Sequence, residues 1–274
     1  MKNCFLIINH NDFKSTKHLI DNIIDFSIID HILIVDNKSN DEEIALLKQI
    51  KQNKIEILFN DVNSGYSGGI NYGAKYLIDK YKECNLIISN SDIVIFAEDD
   101  MKKLIDLLNY EGIGLVGPHI IEKGNTNRGS KKITPNLEIL CNLGLFKNKI
   151  RNKVLAYPND YYDGEIVFVD VISSAFFLIN SKTLERINYM DDNLFLYYEE
   201  QVLSEKIKKL GLGIIISNKV FVKHLFSVSV DKVYKNKDKN KMFRESQLYY
   251  FNTFYNLNKI QKKLLEFSSK FVKN

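Results

Sequence analysis

Short apolar runs alternate with helical patterns through the first hundred residues, and few architectures satisfy that order. "CFLII" (Cys4–Ile8), "HILIVD" (His31–Asp36), "KIEILF" (Lys54–Phe59) and "NLIIS" (Asn85–Ser89) read as buried strands. Helical patterns lie between them near Ser15–Phe26, Asp41–Gln52 and Ile70–Tyr81. Strands alternating with helices predict βαβ units, hence an α/β fold with a mostly parallel sheet and helices on both faces. Ligands of such sheets sit beyond the carboxyl ends of the strands. That rule singles out Asn9–Asp12, Asp36–Ser39, Asn60–Gly69 and Asn90–Asp92.

The second half is less regular. "GIGLVGP" (Gly112–Pro118) reads as a strand, whereas Asn125–Asp163 is polar and tyrosine-bearing and yields no assignment. Glu165–Ile179 reads as strand, break, then strand or short helix, and a helix is expected over Tyr198–Leu210, stopped by Gly211. "GIIIS" and "VFVKH" read as two strands, Lys232–Lys241 as a linker, and the last thirty residues as amphipathic aromatic-rich helix. With 274 residues, 45% hydrophobic and 26% charged, the chain can bury a sizeable core as an ordinary soluble protein. No run approaches the roughly 18 apolar residues of a membrane span, and the apolar run in "MKNCFLIINHND" is too short for a signal peptide. A cytoplasmic location is therefore expected. Cys4, Cys84 and Cys141 are widely spaced and odd in number, which fits reduced thiols rather than disulfides or a zinc site.

Gly65, Gly68, Gly69 and Gly73 cluster before an apolar helical run in a chain with only 13 glycines. Such a cluster serves either a loop shaped around a ligand or a tight strand-to-helix turn. Two nucleotide-binding classes are disfavoured: "NHND" after the first strand contains no glycine fingerprint, and no Walker A loop occurs. Asp36 ends a strand, ahead of the helix caps Asn40 and Asp41, and points into the expected crevice, where its carboxylate could accept bonds from a base imide or ribose hydroxyl. Asn90 and Asp92, spaced i, i+2 past a strand, suit either an Asx turn or a hard divalent cation shared with diphosphate oxygens. Glu199 and Glu200 begin a helix. Helical neighbours point about 100° apart, so at most one faces a cleft squarely, and the aromatic approach Leu194–Tyr198 would desolvate it and raise its pKa. His224 follows a strand, with Ser227 and Ser229 close behind.

Taken in order, "VDNKSND", "NSGYSGGINYG", "SNSD", "FLYYEE" and "KHLFSVS" resemble the inverting family 2 glycosyltransferases, and within them a rhamnosyltransferase-like bacterial subgroup. The resemblance spans Cys4 to Ser229 and implies a GT-A fold over residues 1–230. Residues 1–100 would form the nucleotide-binding half and 101–230 the acceptor-binding half, with 231–274 a basic helical tail. It implies a nucleoside-diphosphate sugar donor, UDP- or dTDP-linked, and a saccharide or lipid-linked acceptor of surface polysaccharide assembly. Donor contacts would come from Asn9, Asn11, Asp36, Asn37, Ser39, Asn63, Gly65, Tyr66, Gly68, Gly69, Asn71 and Asn90. Asp92 and His224 would hold Mn²⁺ or Mg²⁺, and Asn90 departs from the family's first acidic metal-site residue. Glu200 matches the catalytic base, with Glu199 the fallback; Val202 replaces an acid often seen there and Lys206 an arginine. Asp170, Ser173 and Ser174 fall at the acceptor side.

Two other readings compete. A nucleotidyltransferase would need a Gly-rich basic loop after the first strand, which "NHNDFKS" does not supply. A non-catalytic nucleotide-sugar-binding partner of another transferase is compatible with Asn90 and Val202. From Asp231 onward the chain carries 11 Lys/Arg against 4 Asp/Glu, leaving 27 against 30 before it. That basic tail serves as a solvated face, as contact with an anionic membrane surface, or as a homodimer contact through "YYFNTFY". No nucleic-acid-binding motif occurs.

Overall fold

The computed structural model describes residues 1–146, 148–225 and 235–272. The first half follows the alternation: β1 (Lys2–Asn9), α1 (Phe13–Ile23), β2 (His31–Asp36), α2 (Asp41–Leu47), β3 (Ile55–Phe59), α3 (Gly65–Tyr81) and β4 (Cys84–Asn90). These strands lie parallel in the order β3-β2-β1-β4. Register decides where the site falls. Asn9 stands opposite Asp36 and Ile8 opposite Asn90, so the carboxyl ends of β1, β2 and β4 finish level along one edge. The side chains divide strictly by strand period. Leu6, Leu33, Val35, Leu86 and Ile88 pack under α3, while Phe5, Ile7, Ile32, Ile34 and Ile87 pack beneath α1 and its neighbours.

The sheet continues as β9-β6-β10-β5 through β5 (Ile93–Ile95), β6 (Ile113–Glu122), β9 (Phe176–Asn180) and β10 (Gly213–His224), with α4 (Glu98–Leu108) against it. β9 runs antiparallel to β4 and β6, whereas β10 runs parallel to β6, so the sheet is mixed in this half. Short strands β7 (Asn125–Asn127) and β8 (Ile166–Phe168) pair with β6 and β10. "GIIIS" and "VFVKH" are one strand, not two, with an irregularity between Ser217 and Phe221. Cys4, Cys84 and Cys141 are free thiols, as expected.

The stretch left unassigned, Asn125–Asp163, contains two helices, α5 (Pro135–Asn142) and α6 (Asn148–Leu155). Their signal was present: Thr134 caps α5 by accepting from the Leu137 N–H, and Pro135 occupies the first turn, where its missing N–H costs nothing. α7 (Ser181–Arg186) and α8 (Glu199–Lys209) follow, then two tail helices, Asn236–Phe254 and Lys259–Ser268. The first tail helix begins inside the expected linker. The domain boundary drawn at residue 230, and Ser227 and Ser229, lie outside the described residues.

The tail forms its own core with α5, α6 and α8, built from Ile133, Leu137, Leu155, Leu194, Tyr198, Val202, Tyr250, Phe251, Leu257 and Leu265. Tyr250 and Phe251, at the centre of "YYFNTFY", are fully buried within the chain. Of the aromatic face expected to serve a homodimer contact, these two rings are spent on the intramolecular core.

The glycine cluster is the first turns of α3 rather than a free loop. Gly65 has φ +73°, and a Cβ there would lie 2.4 Å from the Phe195 carbonyl oxygen. Gly73 lets α3 sit directly on Leu6 and Val35. Gly65→Ala is expected to lower stability by about 1–3 kcal/mol, combining left-handed strain with overpacking. Urea unfolding of the pair measures it; an unchanged midpoint would mean that the Gly65–Phe195 contact is dispensable.

Candidate active site

Asparagines and one carboxylate organise the edge beyond β1 and β2. Asp36 is fully buried. One carboxylate oxygen accepts from Asn9 Nδ2 at 2.8 Å and from the Ser39 hydroxyl, and the other from the Ser39 N–H at 3.0 Å. Asp36 therefore does not open into the crevice as expected; it fixes the turn that follows β2. Asn9 is held in turn by the Thr16 hydroxyl at 2.7 Å, and Ser39 Oγ accepts from the Asn11 N–H at 2.8 Å.

Asn37 joins that turn to the start of α3. Its amide nitrogen donates to Asn63 Oδ1 at 3.1 Å and to the Gly65 carbonyl at 2.8 Å, while its oxygen accepts from Asn60 and from Ser64. Asn71 has turned away from this edge: its amide makes a reciprocal pair with the Met190 backbone at 3.0 and 2.9 Å. Gly68 lies against Ser64 and Gly69 against Ile8 and Asn37.

On the other side of α3, Tyr66 donates its hydroxyl to the Ser174 carbonyl at 2.7 Å. Burial raises the Tyr66 pKa, and the charges of Glu199, Asp92 and Glu200 add to the rise. One ring thus lies within electrostatic reach of all three carboxylates. Asp92 is buried, and its Oδ1 lies 3.1 Å from His224 Nε2; His224 Nδ1 lies 3.4 Å from Glu122 Oε1. Burial would lower the His224 pKa, but hydrogen bonds and charges from Asp92 and Glu122 outweigh it and raise the pKa to about 9. The backbone of Asn90 is pinned by its N–H bond to the Ala175 carbonyl at 2.9 Å.

Asp92 Oδ1 and His224 Nε2 bond each other at 3.1 Å; a carboxylate and a neutral imidazole are donor types that suit Mn²⁺, which would have to displace the proton they share. Among the described residues no group of three His, Cys, Asp or Glu side chains forms a complete cage. A cation there needs oxygens from a bound phosphate or from water, as hard divalent ions commonly use.

α8 starts under strain. Tyr197 and Tyr198 both hold left-handed backbone, φ 71° and 64°, a conformation costly for large side chains. The tail supplies the restraint: Tyr198 packs against Phe243, Tyr250 and Phe251, Tyr197 against Phe243, and Ser246 donates to the Leu196 carbonyl at 2.8 Å. Tyr198 donates to buried Glu138 at 2.6 Å, and Gln247 donates to the same oxygen at 2.6 Å. This abrupt turn sets where α8 starts, and its first two residues point about 100° apart. Glu199 is buried with Oε2 lacking a hydrogen-bond partner, whereas Glu200 opens on a cleft of about 910 Å³. Burial, then the Glu200 charge, pushes the Glu199 pKa up to about 8; burial raises Glu200 as well.

Glu122, Arg128, Lys131, Arg151, Tyr157 and Ser173 share the cleft with Glu200. Arg128 stands over the Tyr162 ring and Lys131 over Tyr157, at 5.2 and 5.6 Å. Asp170 does not reach the cleft: it pairs with Lys208 and accepts from the Lys132 N–H at 3.0 Å. Ser174 contributes its carbonyl to Tyr66, and of the two serines Ser173 lines the cleft. Val202 is buried in the tail core, and Lys206 donates to the carbonyls of Asn188 and Tyr189. Sequence reasoning missed Glu138, Gln247, Glu122 and the cleft cations, because no local spacing connects them.

A central, mostly parallel sheet flanked by helices places the chain among α/β proteins similar to the GT-A glycosyltransferase structures. The chain belongs to Glycosyl transferase family 2, whose model matches residues 4–164. It is similar to the low-salt glycan biosynthesis hexosyltransferase Agl10 of Haloferax volcanii, 25% identical over 209 residues, which cover 76% of this chain and 62% of that protein. The fold matches GalNAc-T7 solved with UDP, GalNAc and Mn²⁺ (TM-score 0.63, 14% identity, 98% of this chain and 54% of that one). It also matches the mannosyltransferase PcManGT of Pyrobaculum calidifontis with GDP-Man and Mn²⁺ (TM-score 0.60, 10% identity, 98% and 69%). A third match is S. aureus TarS 1–349 (TM-score 0.55, 14% identity, 98% and 71%). The chain thus spans less than two-thirds of the Haloferax relative and about half of GalNAc-T7.

Tyr198→Phe leaves the Glu138 carboxylate short of one donor and is expected to cost about 1–3 kcal/mol in urea unfolding. Glu199 carries a folded-state pKa above its unfolded value, so the stability it contributes is full below about 4.5 and is lost as pH rises through about 8. Glu199→Gln does not undergo that loss. Its melting temperature should match the parent near pH 5 and exceed it at pH 8.5, with a gain on the order of 3 kcal/mol; equal curves at both pH values would show Glu199 to be solvated.

Proposed function

We propose that the protein is an inverting glycosyltransferase that moves a sugar from a UDP- or dTDP-sugar, dTDP-rhamnose among the candidates, to a saccharide or lipid-linked acceptor of bacterial surface polysaccharide synthesis. One observation carries the reading. A single cleft has Glu200 on one wall and Glu122, hydrogen-bonded to the His224–Asp92 pair, on another. The family assignment supports transfer chemistry. The motif order from "VDNKSND" to "FLYYEE" supports the rhamnosyltransferase-like subgroup.

In this reading Glu200 is the general base. Its raised pKa makes it a stronger proton acceptor than a solvated carboxylate. It takes the acceptor hydroxyl proton as that oxygen attacks the anomeric carbon, and the bond from that carbon to the diphosphate breaks. No covalent intermediate is needed, so configuration inverts. Asp92 and His224 would hold a divalent ion, which supplies positive charge to the departing diphosphate. Asn37, Asn63 and the first turn of α3 present the nucleotide-side surface, and Asp36, Asn9, Asn11 and Ser39 hold that surface in shape. Arg128, Lys131 and Arg151 favour an acceptor that carries negative charge beside its sugar, as a lipid diphosphate does.

Glu200→Gln is expected to lower turnover about 100-fold or more while nucleotide binding survives. Thermal unfolding with UDP, dTDP, GDP and CDP, each with and without Mn²⁺, reads the binding: saturating ligand should add about 2.7 kcal/mol at 100 times its dissociation constant. A shift for one nucleotide that grows with Mn²⁺ identifies the donor class. Normal turnover in the variant removes Glu200 from the mechanism, and binding without any turnover in the parent favours a non-catalytic partner.

A further inference from the structure

The tail turns one aromatic face inward, and a different face is left outside. In the Lys259–Ser268 helix and the 3₁₀ turn after it, Ile260, Leu264, Phe267 and Phe271 are 71%, 45%, 54% and 51% exposed. Ile260, Leu264 and Phe267, at i, i+4 and i+7, share a stripe about 60° wide at 100° per residue, and Phe271 in the 3₁₀ turn lies 5.2 Å from the Phe267 ring. The opposite side is anchored: Leu265 and Ser268 are buried, and Asn142 at the end of α5 donates to Ser268 Oγ at 3.3 Å. The orientation of the stripe is therefore set by the core and not by the helix alone.

Charge borders the stripe. From Lys259 to Phe271 there are four lysines, 259, 262, 263 and 270, and one acid, Glu266. All four lysines are exposed, and Lys259, Lys263 and Lys270 project within about 100° of the stripe on its solvent flank. The pattern continues across α5. Leu143 and Leu145 are exposed just past Asn142, and on α6 Ile150 and Val154 are exposed beside Lys149 and Lys153. The inner side of α6 supplies Arg151, Asn152 and Leu155 to the cleft.

We propose that this face, the Lys259–Phe271 stripe with the outer side of α6, docks on an anionic lipid bilayer. Four apolar side chains enter the interface while the lysines stay at headgroup level, so hydrophobic insertion and charge attraction act together. Lysines bordering apolar side chains on two separate elements, with a single intervening acid on the tail helix, match a uniform negative surface. Bound in this way, α6 would set the mouth of the cleft at the bilayer surface. The lipid contact is independent of the transfer reaction and is read without it.

The test is co-sedimentation of the full chain with vesicles of phosphatidylcholine alone and of phosphatidylcholine with about 30% phosphatidylglycerol. The parent is expected to pellet with the anionic vesicles, less so at high salt, and to stay in solution with phosphatidylcholine alone. Leu264→Ser with Phe267→Ser, and separately Lys259→Glu with Lys263→Glu and Lys270→Glu, should each weaken anionic-vesicle binding by about 10-fold or more. Because these side chains are exposed, melting temperature and nucleotide binding should not change. Absence of the parent from the anionic pellet overturns the proposal, and so does equal binding by both variants. A parent dimer in sedimentation velocity that the Leu264/Phe267 variant splits also overturns it, since a second copy then covers the stripe.

Discussion

A single buried carboxylate joins three parts of the chain that sequence keeps far apart. Glu138 on α5 accepts the Tyr198 hydroxyl and the Gln247 amide on one oxygen, and Arg151 lies 3.6 Å from the other. Gln247 bonds Asn142, and Asn142 bonds Ser268, so α5, the turn before α8 and both tail helices share one network. Burying such a charge is tolerable only when donors surround it, and removing one donor exposes the full desolvation cost. The network also explains how consecutive tyrosines persist in left-handed backbone: the rings and the hydroxyl are over-determined by the tail. That held turn sets the angle at which α8, with Glu199 and Glu200, meets the cleft.

The two glutamates show how one position along a helix separates structure from chemistry. Glu199 faces the protein interior, and Glu200 faces the cleft. Burial raises both pKa values, but only one carboxyl can meet a second molecule. The Asp92–His224–Glu122 chain works in the other direction: there two carboxylates stabilise an imidazolium against its own burial. The cleft is thus lined by Glu200, whose carboxyl resists ionisation, and by Glu122, which backs a histidine held cationic by its carboxylate neighbours.

The edge beyond β1 and β2 is stiff for a different reason. Asn9, Asn37, Asn63 and Ser39 satisfy one another, so the turns after β1 and β2 and the start of α3 move as one unit. Asp36 serves that unit from beneath. A carboxylate at a strand end suggested a ligand contact from sequence; the structure spends its oxygens on neighbouring donors, because level strand ends bring Asn9 and the Ser39 turn within bonding distance.

Hydrophobic period and turn chemistry by themselves determined the parallel half of the sheet, its covered faces and the order of its loops. Strand ends dictate where Asn9, Asp36 and Asn90 fall, and a helix start dictates that Glu199 and Glu200 point apart. These are local properties, legible because side-chain periods of two and 3.6 residues repeat within a few positions. Only tertiary structure decided that Asp36 and Asn71 turn inward, that Glu200 rather than Glu199 reaches the cleft, and that Asp170 is spent on Lys208. It also decided that the tail buries Tyr250 and Phe251 against α8 while exposing Phe267. Asn71 depends on Met190, Asp170 on Lys208 and Glu138 on Tyr198 and Gln247, partners 119, 38, 60 and 109 residues away, while Asp36 takes Asn9, 27 residues away, beside its own Ser39 turn. No local pattern encodes a contact at that separation, because the partners become neighbours only once the sheet and the helix packing bring them together.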